Sequence, residues 1–195
     1  MIRSLVALSD RVSRSLRAWL LALAAVVTVF LFMLLVLERL LIGETGHRVI
    51  DIQPELSAAQ IAEQVPLYTP RAVLYAWVFY LFDFVFPFLA SLLATGLMAF
   101  GLRQFWPAAY VARRFTPLVL LPYLSALGDW LENVFTLWLL TAYPPVNDSA
   151  LQGLMAARTF KGVAGAAVMT PVLLVFVVGL VVYIWRRRKA RAGVA

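Results

Sequence analysis

The sequence predicts an all-α, polytopic membrane protein built as a bundle of four transmembrane helices, and three observations predict it. Hydrophobic residues make up 63% of the 195 positions and charged residues 14%, whereas soluble domains are about half apolar and about a quarter charged. Four apolar stretches reach the roughly 20 residues that a helix needs to cross a bilayer. The chain also holds 13 Phe, 6 Trp and 7 Tyr, which is typical of aromatic rings at membrane–water boundaries.

The N-terminal segment is amphipathic. Apolar and charged residues fall on opposite faces of a helix here, which predicts an N-terminal amphipathic helix lying on the membrane interface. An ordinary helical lead-in to the first span fits the pattern equally well. The apolar face holds Ile2, Leu5, Val6, Val12, Leu16 and Trp19, and the charged face holds Arg3, Asp10, Arg14 and Arg17.

The four predicted spans cover 19–42, 72–100, 115–141 and 162–185 of a single domain, 1–195. Outer loops are predicted at 43–71 and 142–161, an inner loop at 101–114, and a basic tail at 186–195. In the first outer loop Pro54 suits a first helical turn and Glu55 suits its positive dipole end. We therefore expect a short helix there that runs to about Val65 and is ended by Pro66.

Basic residues predict the orientation. The N-terminal segment, the inner loop and the tail together hold 12 of the 17 Lys and Arg residues, whereas loop 43–71 holds four acidic and two basic residues. Because Lys and Arg mark the cytoplasmic side, both termini are predicted to be cytoplasmic, in a bacterial inner membrane. The tail would then serve as an orientation signal and as a contact for anionic lipid headgroups. An accessory subunit of a larger complex would also have partner membrane subunits, whereas nucleic acid is not expected as a partner.

The composition excludes several chemistries. The chain has no cysteine, so disulfides, thiol redox reactions and iron–sulfur ligation are ruled out. Its one histidine, His47, cannot by itself supply a bis-histidine haem site or a multi-histidine zinc site. Glycine-rich phosphate loops and the common zinc-protease and serine-hydrolase motifs are missing from the sequence. We therefore predict neither a cofactor nor a metal.

Polar residues inside two predicted spans are the candidate site. Asp129, Glu132 and Asn133 are spaced i, i+3, i+4 and so share a helical face. Ionisable groups in a membrane span are costly, rare and usually face a bundle interior or a cavity. The same stripe of span three includes Ser125 and Thr136, and a comparable stripe of span two carries Tyr80 and Asp83.

The two stripes are expected to meet. Asp83 lies twelve residues after Arg71, and Asp129 lies twelve residues before Thr141. At about 1.5 Å per residue, both carboxylates are roughly 18 Å below the outer ends of their spans. Pro87 lacks the N–H that would bond the carbonyl of Asp83, so that oxygen is expected to be free. An oxygen-rich pocket of this kind suits a proton or a hard cation.

Three interpretations of the polar cluster remain open. It could be interhelical glue in a structural or accessory subunit, with hydrogen bonds of about 1 kcal/mol each. It could bind a proton, a cation or a cationic small molecule in a binding or transport role. It could also be the acid–base centre of a lipid-modifying enzyme. We favour the binding role as the working hypothesis.

Four further residues are candidates at the outer rim of the site. Arg158 and Lys161 stand at the outer end of span four, where they could reach a carboxylate, meet a lipid headgroup or simply snorkel. His47 and Asp51 of the first outer loop could join a site above the cluster. Glu38 and Arg39 are expected to be an interfacial anchor of span one.

These residues also carry a resemblance to known sequences. The stretches Asp83-Phe84-Val85-Phe86-Pro87, Asp129-Trp130-Leu131-Glu132-Asn133 and Val49-Ile50-Asp51-Ile52-Gln53-Pro54 resemble a D-x-x-F-P motif, a D-x-x-E-N motif and a loop motif. These motifs belong to a family of small bacterial four-span integral membrane proteins to which no activity is assigned. The resemblance implies the four-span architecture and the choice of site residues, and it names no function.

Overall fold

The computed structural model of this chain describes residues 2–112 and 116–192, and within these ranges the protein is helical and contains no β-strand. Short π-helical and 3₁₀ turns cover Met33–Leu37, Ile50–Ile52 and Val65–Leu67. The α-helices are Ile2–Arg14 (α1), Leu16–Phe32 (α2), Glu38–Thr45 (α3), Ala58–Gln64 (α4), Pro70–Phe105 (α5), Pro107–Val111 (α6), Thr116–Leu120 (α7), Pro122–Thr141 (α8) and Asp148–Ala192 (α9).

Three helical stretches of the described residues are long and apolar enough to cross a membrane. They are Leu16–Thr45, which joins α2 and α3 through the π turn, Pro70–Phe105 and Asp148–Arg191. The prediction of an all-helical membrane protein is therefore confirmed. Helix α8 has 20 residues and is not one of these three, so the fourth span stays a prediction. The basic residues predicted as a tail continue α9 as far as Arg191.

The predicted third span is split into two helices. Pro122 has no N–H to continue the helical ladder, and the chain turns at Leu121. The carbonyl of Leu118 accepts a bond from the N–H of Leu121 at 3.2 Å, and the carbonyl of Pro122 accepts from Ser91 Oγ at 2.9 Å. The predicted start of the span at Phe115, with the basic residues Arg113 and Arg114, lies outside the described residues.

Helix α1 is a separate element and not a continuous lead-in to α2. Ser15 breaks the two helices apart and caps α2 by accepting a hydrogen bond from the N–H of Ala18 at 3.2 Å. Helix α1 packs on α5, where Ser9 Oγ donates to Thr95 Oγ1 at 2.9 Å. The side chains of Ile2 and Arg3 lie outside the described part of the chain. The position of α1 on a membrane interface stays a prediction.

Residues 46–69 form a folded segment, here named the cap, over one end of the bundle. Gly46 begins it in the left-handed conformation, at φ 73°, and Ser57 and Gln60 form a capping box that starts α4. The predicted helix start at Pro54 and Glu55 is therefore wrong, because the capping residue comes two positions later than Glu55. The helix ends next to Val65 as expected. Apolar cap residues are buried against the bundle, namely Val49, Ile50, Ile61 and Val65.

Helices α5, α8 and α9 form the centre of the bundle, with α8 antiparallel to the other two. Near the end that carries α1 and the last turns of α9, the helices α5 and α9 touch through glycines: a Cβ on Gly179 would lie 2.5 Å from the Cα of Gly101. At the opposite end, the cap covers a core that includes Phe79, Tyr80 and Leu154. The polar site lies beneath the cap, next to this core.

Candidate functional site

Five charged side chains form one connected cluster of ion pairs, here named the paired network. Asp129 and Glu132 come from α8, Arg158 and Lys161 from α9, and Asp51 from the cap. Both helical pairs are spaced by three residues, so each pair lies on one face of its helix. The network therefore joins three parts of the chain that are far apart in sequence.

Arg158 links α8 to the cap. Its Nε donates to Glu132 Oε1 at 2.8 Å, its Nη1 donates to the carbonyl of Gln53 at 3.3 Å, and its Nη2 donates to the carbonyl of Ile50. The Glu132 side chain is only 2% exposed. Removing one partner of such a buried pair leaves an uncompensated charge, which costs about 3–5 kcal/mol.

Lys161 lies among three carboxylates. Its Nζ is 2.8 Å from Asp129 Oδ1, 2.9 Å from Glu132 Oε2 and 3.1 Å from Asp51 Oδ1. The ammonium group thus takes the position that a bound cation would take between these acids. Within residues 2–112 and 116–192, no group of three or more His, Cys, Asp or Glu residues is arranged to hold a metal ion.

A glycine allows this arrangement. A Cβ on Gly128 would lie 2.8 Å from the Cα of Lys161, which is closer than side chains tolerate. The bare backbone of Gly128 lets α9 approach α8 at the turn that carries Lys161. The local sequence therefore brings the ammonium group within reach of Asp129, the residue next to the glycine.

Deeper in the bundle, three neighbouring buried polar side chains have atoms that make no hydrogen bond of standard geometry among the described residues, and we name them the unpaired trio. Tyr80 and Asp83 lie one turn apart on α5, and the Asn133 amide on α8 lies close enough to the Asp83 carboxyl to interact with it. Their exposed fractions are 0%, 5% and 0%. The Tyr80 hydroxyl, Asp83 Oδ2 and both amide atoms of Asn133 have no hydrogen-bond partner among the described residues. Leaving a buried polar group unsatisfied costs about 1–3 kcal/mol.

The remaining predicted site residues take other positions. The hydroxyl of Thr136 donates to the carbonyl of Glu132 in its own helix at 2.8 Å. Ser125 lies on the side of α8 that faces α9, beside Gly165. His47 is exposed, and in its described contacts the Thr45 hydroxyl donates to the His47 carbonyl and accepts from the His47 backbone N–H. The rim candidates thus separate: Asp51, Arg158 and Lys161 join the network, and His47 does not.

Sequence reasoning missed the role of Trp130. Its indole Nε1 donates to the carbonyl of Phe84 at 2.8 Å, three residues before Pro87 on α5. A buried Trp usually needs a partner for its N–H, and a proline-interrupted helix offers carbonyls that accept one. A tryptophan in span three together with a proline in span two was therefore the sequence feature that could have indicated this hydrogen bond. The bond fastens α8 to α5 beside Asp83.

The predicted anchor at the end of span one is also different in the structure. Glu38 is buried, and its Oε1 lies 2.6 Å from Nε of Arg48 in the cap; Arg39 is exposed. Tyr68, at the other end of the cap, is buried too, and desolvation raises the pKa of its phenol to about 12. The phenol therefore stays neutral at physiological pH. The cap is thus tied to the bundle by ion pairs that draw on its own arginine and aspartate.

Fold and site together define a helical membrane protein with a buried acidic and basic centre beneath a folded cap. No family model, curated protein or solved structure matches the chain. The motif resemblance to small bacterial four-span proteins therefore stays a prediction.

Proposed function

We propose that this chain is an integral protein of a bacterial inner membrane in which the unpaired trio binds a proton, a cation or a cationic group, in a binding or transport role. One observation carries the proposal. Tyr80, Asp83 and Asn133 are adjacent and buried, and the Tyr80 hydroxyl, one Asp83 carboxylate oxygen and both Asn133 amide atoms make no hydrogen bond of standard geometry among the described residues. Such groups are expensive to keep in a bundle interior, and inside a membrane they are a functional-site hypothesis by default.

The chemistry of the trio suits a positively charged or proton-donating ligand. Asp83 offers a carboxylate oxygen and Asn133 an amide oxygen, both of which are acceptors. The amide N–H groups of Asn133 and the hydroxyl of Tyr80 can orient the carboxylate or a polar ligand. A proton on Asp83, or a small cationic group beside it, would satisfy the oxygen that now has no partner.

Charge counting supports the same conclusion. Asp51, Asp83, Asp129 and Glu132 bring four carboxylates to this region, and Arg158 and Lys161 bring two cations. The excess is therefore two negative charges when all groups are ionised. A buried excess of this sign is offset by a bound proton or cation.

The paired network has a different role in this proposal. Asp129 and Glu132 already contact Lys161 and Arg158 at 2.8–2.9 Å, so they contribute negative potential and helix positioning. Direct contact with the ligand falls to Asp83 and Asn133. This assignment narrows the candidate set that the sequence suggested.

We include α8 as a fourth span. Its 20 residues extend about 30 Å, the thickness of a bilayer core. Large apolar side chains form an exposed stripe at helical spacing, as a lipid-facing surface would: Leu124, Leu127, Leu131, Val134 and Trp138. With four spans both termini lie on one side, and the basic residues at that end assign it to the cytoplasm.

The test is thermal unfolding of the purified protein in detergent, across a pH series and with added inorganic and organic cations. A ligand that binds only the folded state raises stability, by about 2.7 kcal/mol at one hundred times its Kd. We expect the wild-type midpoint to respond to pH or to one cation and the Asp83→Asn variant to lose that response. Glu63→Gln, in the exposed cap helix, is the matched control and should keep it.

A structural or accessory role is the second candidate, and the paired network favours it. Both carboxylate oxygens of Glu132 are already paired, and the cap closes over them. In that case the unfolding midpoints would be indifferent to cations. The pH response of Asp83→Asn would also equal that of wild type. This outcome would remove the binding proposal.

A further inference from the structure

A groove lies at the end of the bundle that carries α1 and the last turns of α9, far from the polar site. The cavity has a volume of about 530 Å³, within the range of roughly 300–1,000 Å³ that ligand sites occupy. It opens between α5, α9 and the bend at Ser13–Leu16 where α1 meets α2, here named the elbow. Most of its wall is apolar, and the main contributors are Leu16, Trp19, Leu97, Phe100, Phe176 and Leu180.

The elbow that shapes this groove is held rigidly. Arg103 Nη1 donates to Ser13 Oγ at 3.0 Å, and Nη2 donates to the Ser13 carbonyl at 2.9 Å. Gly96 lets α1 lie close to α5, since a Cβ there would be 3.0 Å from Val12 Cγ1. Helix α2 starts afresh at Leu16 because Ser15 caps it. The wedge between the two helices is therefore a built feature of the fold.

The mouth of the groove is basic. Arg14 and Arg103 line it, and Arg187 lies over the ring of Tyr183, another lining residue, at 5.5 Å. Asp10 is the acid that pairs with the first two arginines, at 2.8 and 3.6 Å. Three guanidinium groups against one carboxylate leave two positive charges at this opening.

The side chain of Trp19 forms part of the groove wall. An apolar channel with a basic mouth matches one ligand chemistry: an acyl chain that carries an anionic head.

We propose that this groove, here named the elbow groove, binds one anionic phospholipid. An acyl chain lies along Leu97, Phe100 and Phe176, and the phosphate lies at Arg14 and Arg187. The site is separate from the unpaired trio and does not depend on its function. It is also distinct from general attraction of lipid headgroups to the basic end of α9, because it requires the elbow.

Brominated lipids provide the test, since bromine on an acyl chain quenches the fluorescence of a nearby indole. Detergent-solubilised protein is titrated with dibrominated phosphatidylglycerol or dibrominated phosphatidylcholine. The difference between wild type and Trp19→Phe isolates the signal of Trp19 from the other tryptophans. We expect saturable quenching of Trp19, with phosphatidylglycerol binding at several-fold lower concentration than phosphatidylcholine.

Two variants separate the elbow groove from the basic helix end. Arg14→Gln should weaken phosphatidylglycerol binding about fivefold, as expected for one lost basic residue, with little effect on phosphatidylcholine. Arg188→Gln, on exposed α9 outside the groove, should leave the Trp19 signal unchanged. Equal quenching by both lipids, or an equal effect of both variants, would overturn the proposal. So would the absence of any quenching that depends on Trp19.

Discussion

The paired network and the unpaired trio are neighbours on α8, yet they differ in whether their polar groups are hydrogen-bonded. Glu132 has both carboxylate oxygens occupied, by Arg158 and Lys161. Asn133, the next residue, is equally buried and has neither amide atom bonded among the described residues. Burial alone therefore does not show what a polar residue does. The presence or absence of a partner separates the groups that stabilise this fold from the groups available to a ligand.

The largest expected effect comes from the network. Glu132→Gln removes the charge that Arg158 and Lys161 share, and we expect a loss of about 3–5 kcal/mol in unfolding free energy. Thermal or denaturant unfolding in detergent measures it. Glu63→Gln, an exposed acid of the cap, is the control and should change stability by less than about 0.5 kcal/mol. If the two variants behave alike, the network does not stabilise the bundle.

A pair of glycine variants tests the contact that positions Lys161. Gly128→Ala places a methyl group 2.8 Å from the Lys161 Cα, and we expect a loss of about 1–3 kcal/mol. Gly162→Ala meets no atom within 4 Å and should gain up to about 1 kcal/mol, because alanine favours helix. Opposite signs of the two shifts in unfolding midpoint support the close approach. A shared sign would contradict it.

The contact beside the trio should be worth less. Trp130→Phe keeps an aromatic ring but removes the N–H that bonds the Phe84 carbonyl at 2.8 Å. We expect a loss of about 1 kcal/mol, the usual net value of one hydrogen bond. Trp138→Phe is the matched control, since Trp138 is 44% exposed on the outer face of the same helix. Equal losses would mean that ring volume and not the hydrogen bond is responsible.

The trio itself should give an effect as small as that of Trp130→Phe and of the opposite sign. Asn133→Leu replaces a buried amide that has no partner by an apolar side chain of similar size, so we expect a gain of about 1 kcal/mol without ligand. A stability gain at a ligand-binding residue is the usual sign of a site kept for function. We compare the unfolding midpoint of this variant with that of Glu132→Gln. The two adjacent substitutions should shift the midpoint in opposite directions. A large loss would place Asn133 with the stabilising groups.

The sequence predicted most residues of the site. It could not predict which of them form the paired network and which form the unpaired trio. The i, i+3, i+4 spacing put Asp129, Glu132 and Asn133 on one side of a helix, and depth counting set Asp83 at the same level. That side of α8 touches two helices, however. The rotation of α8 directs Glu132 to α9 and Asn133 to α5, and no local spacing specifies such a rotation. The predicted ligand set was therefore a mixture of two groups.

The proline effects show the same limit. Pro122 interrupts the predicted third span, and the chain turns just before it, because the missing N–H is a local property. Which carbonyls near the prolines accept side-chain hydrogen bonds depends on neighbouring helices: the Pro122 carbonyl accepts from Ser91 and the Phe84 carbonyl from Trp130. Those partners lie 31 and 46 residues away in the chain.

The sequence by itself determined that the protein is helical and suited to a membrane, because long apolar stretches must satisfy their backbone hydrogen bonds within each segment. It also determined which residues are chemically unusual there. Tertiary structure alone decided which of these are neutralised. Lys161 and Asp51, 110 residues apart, meet in one ion pair, while Asp83 is left without one among the described residues. Charge pairing in a bundle depends on how helices are rotated and how closely they approach, and those are properties of the packed whole.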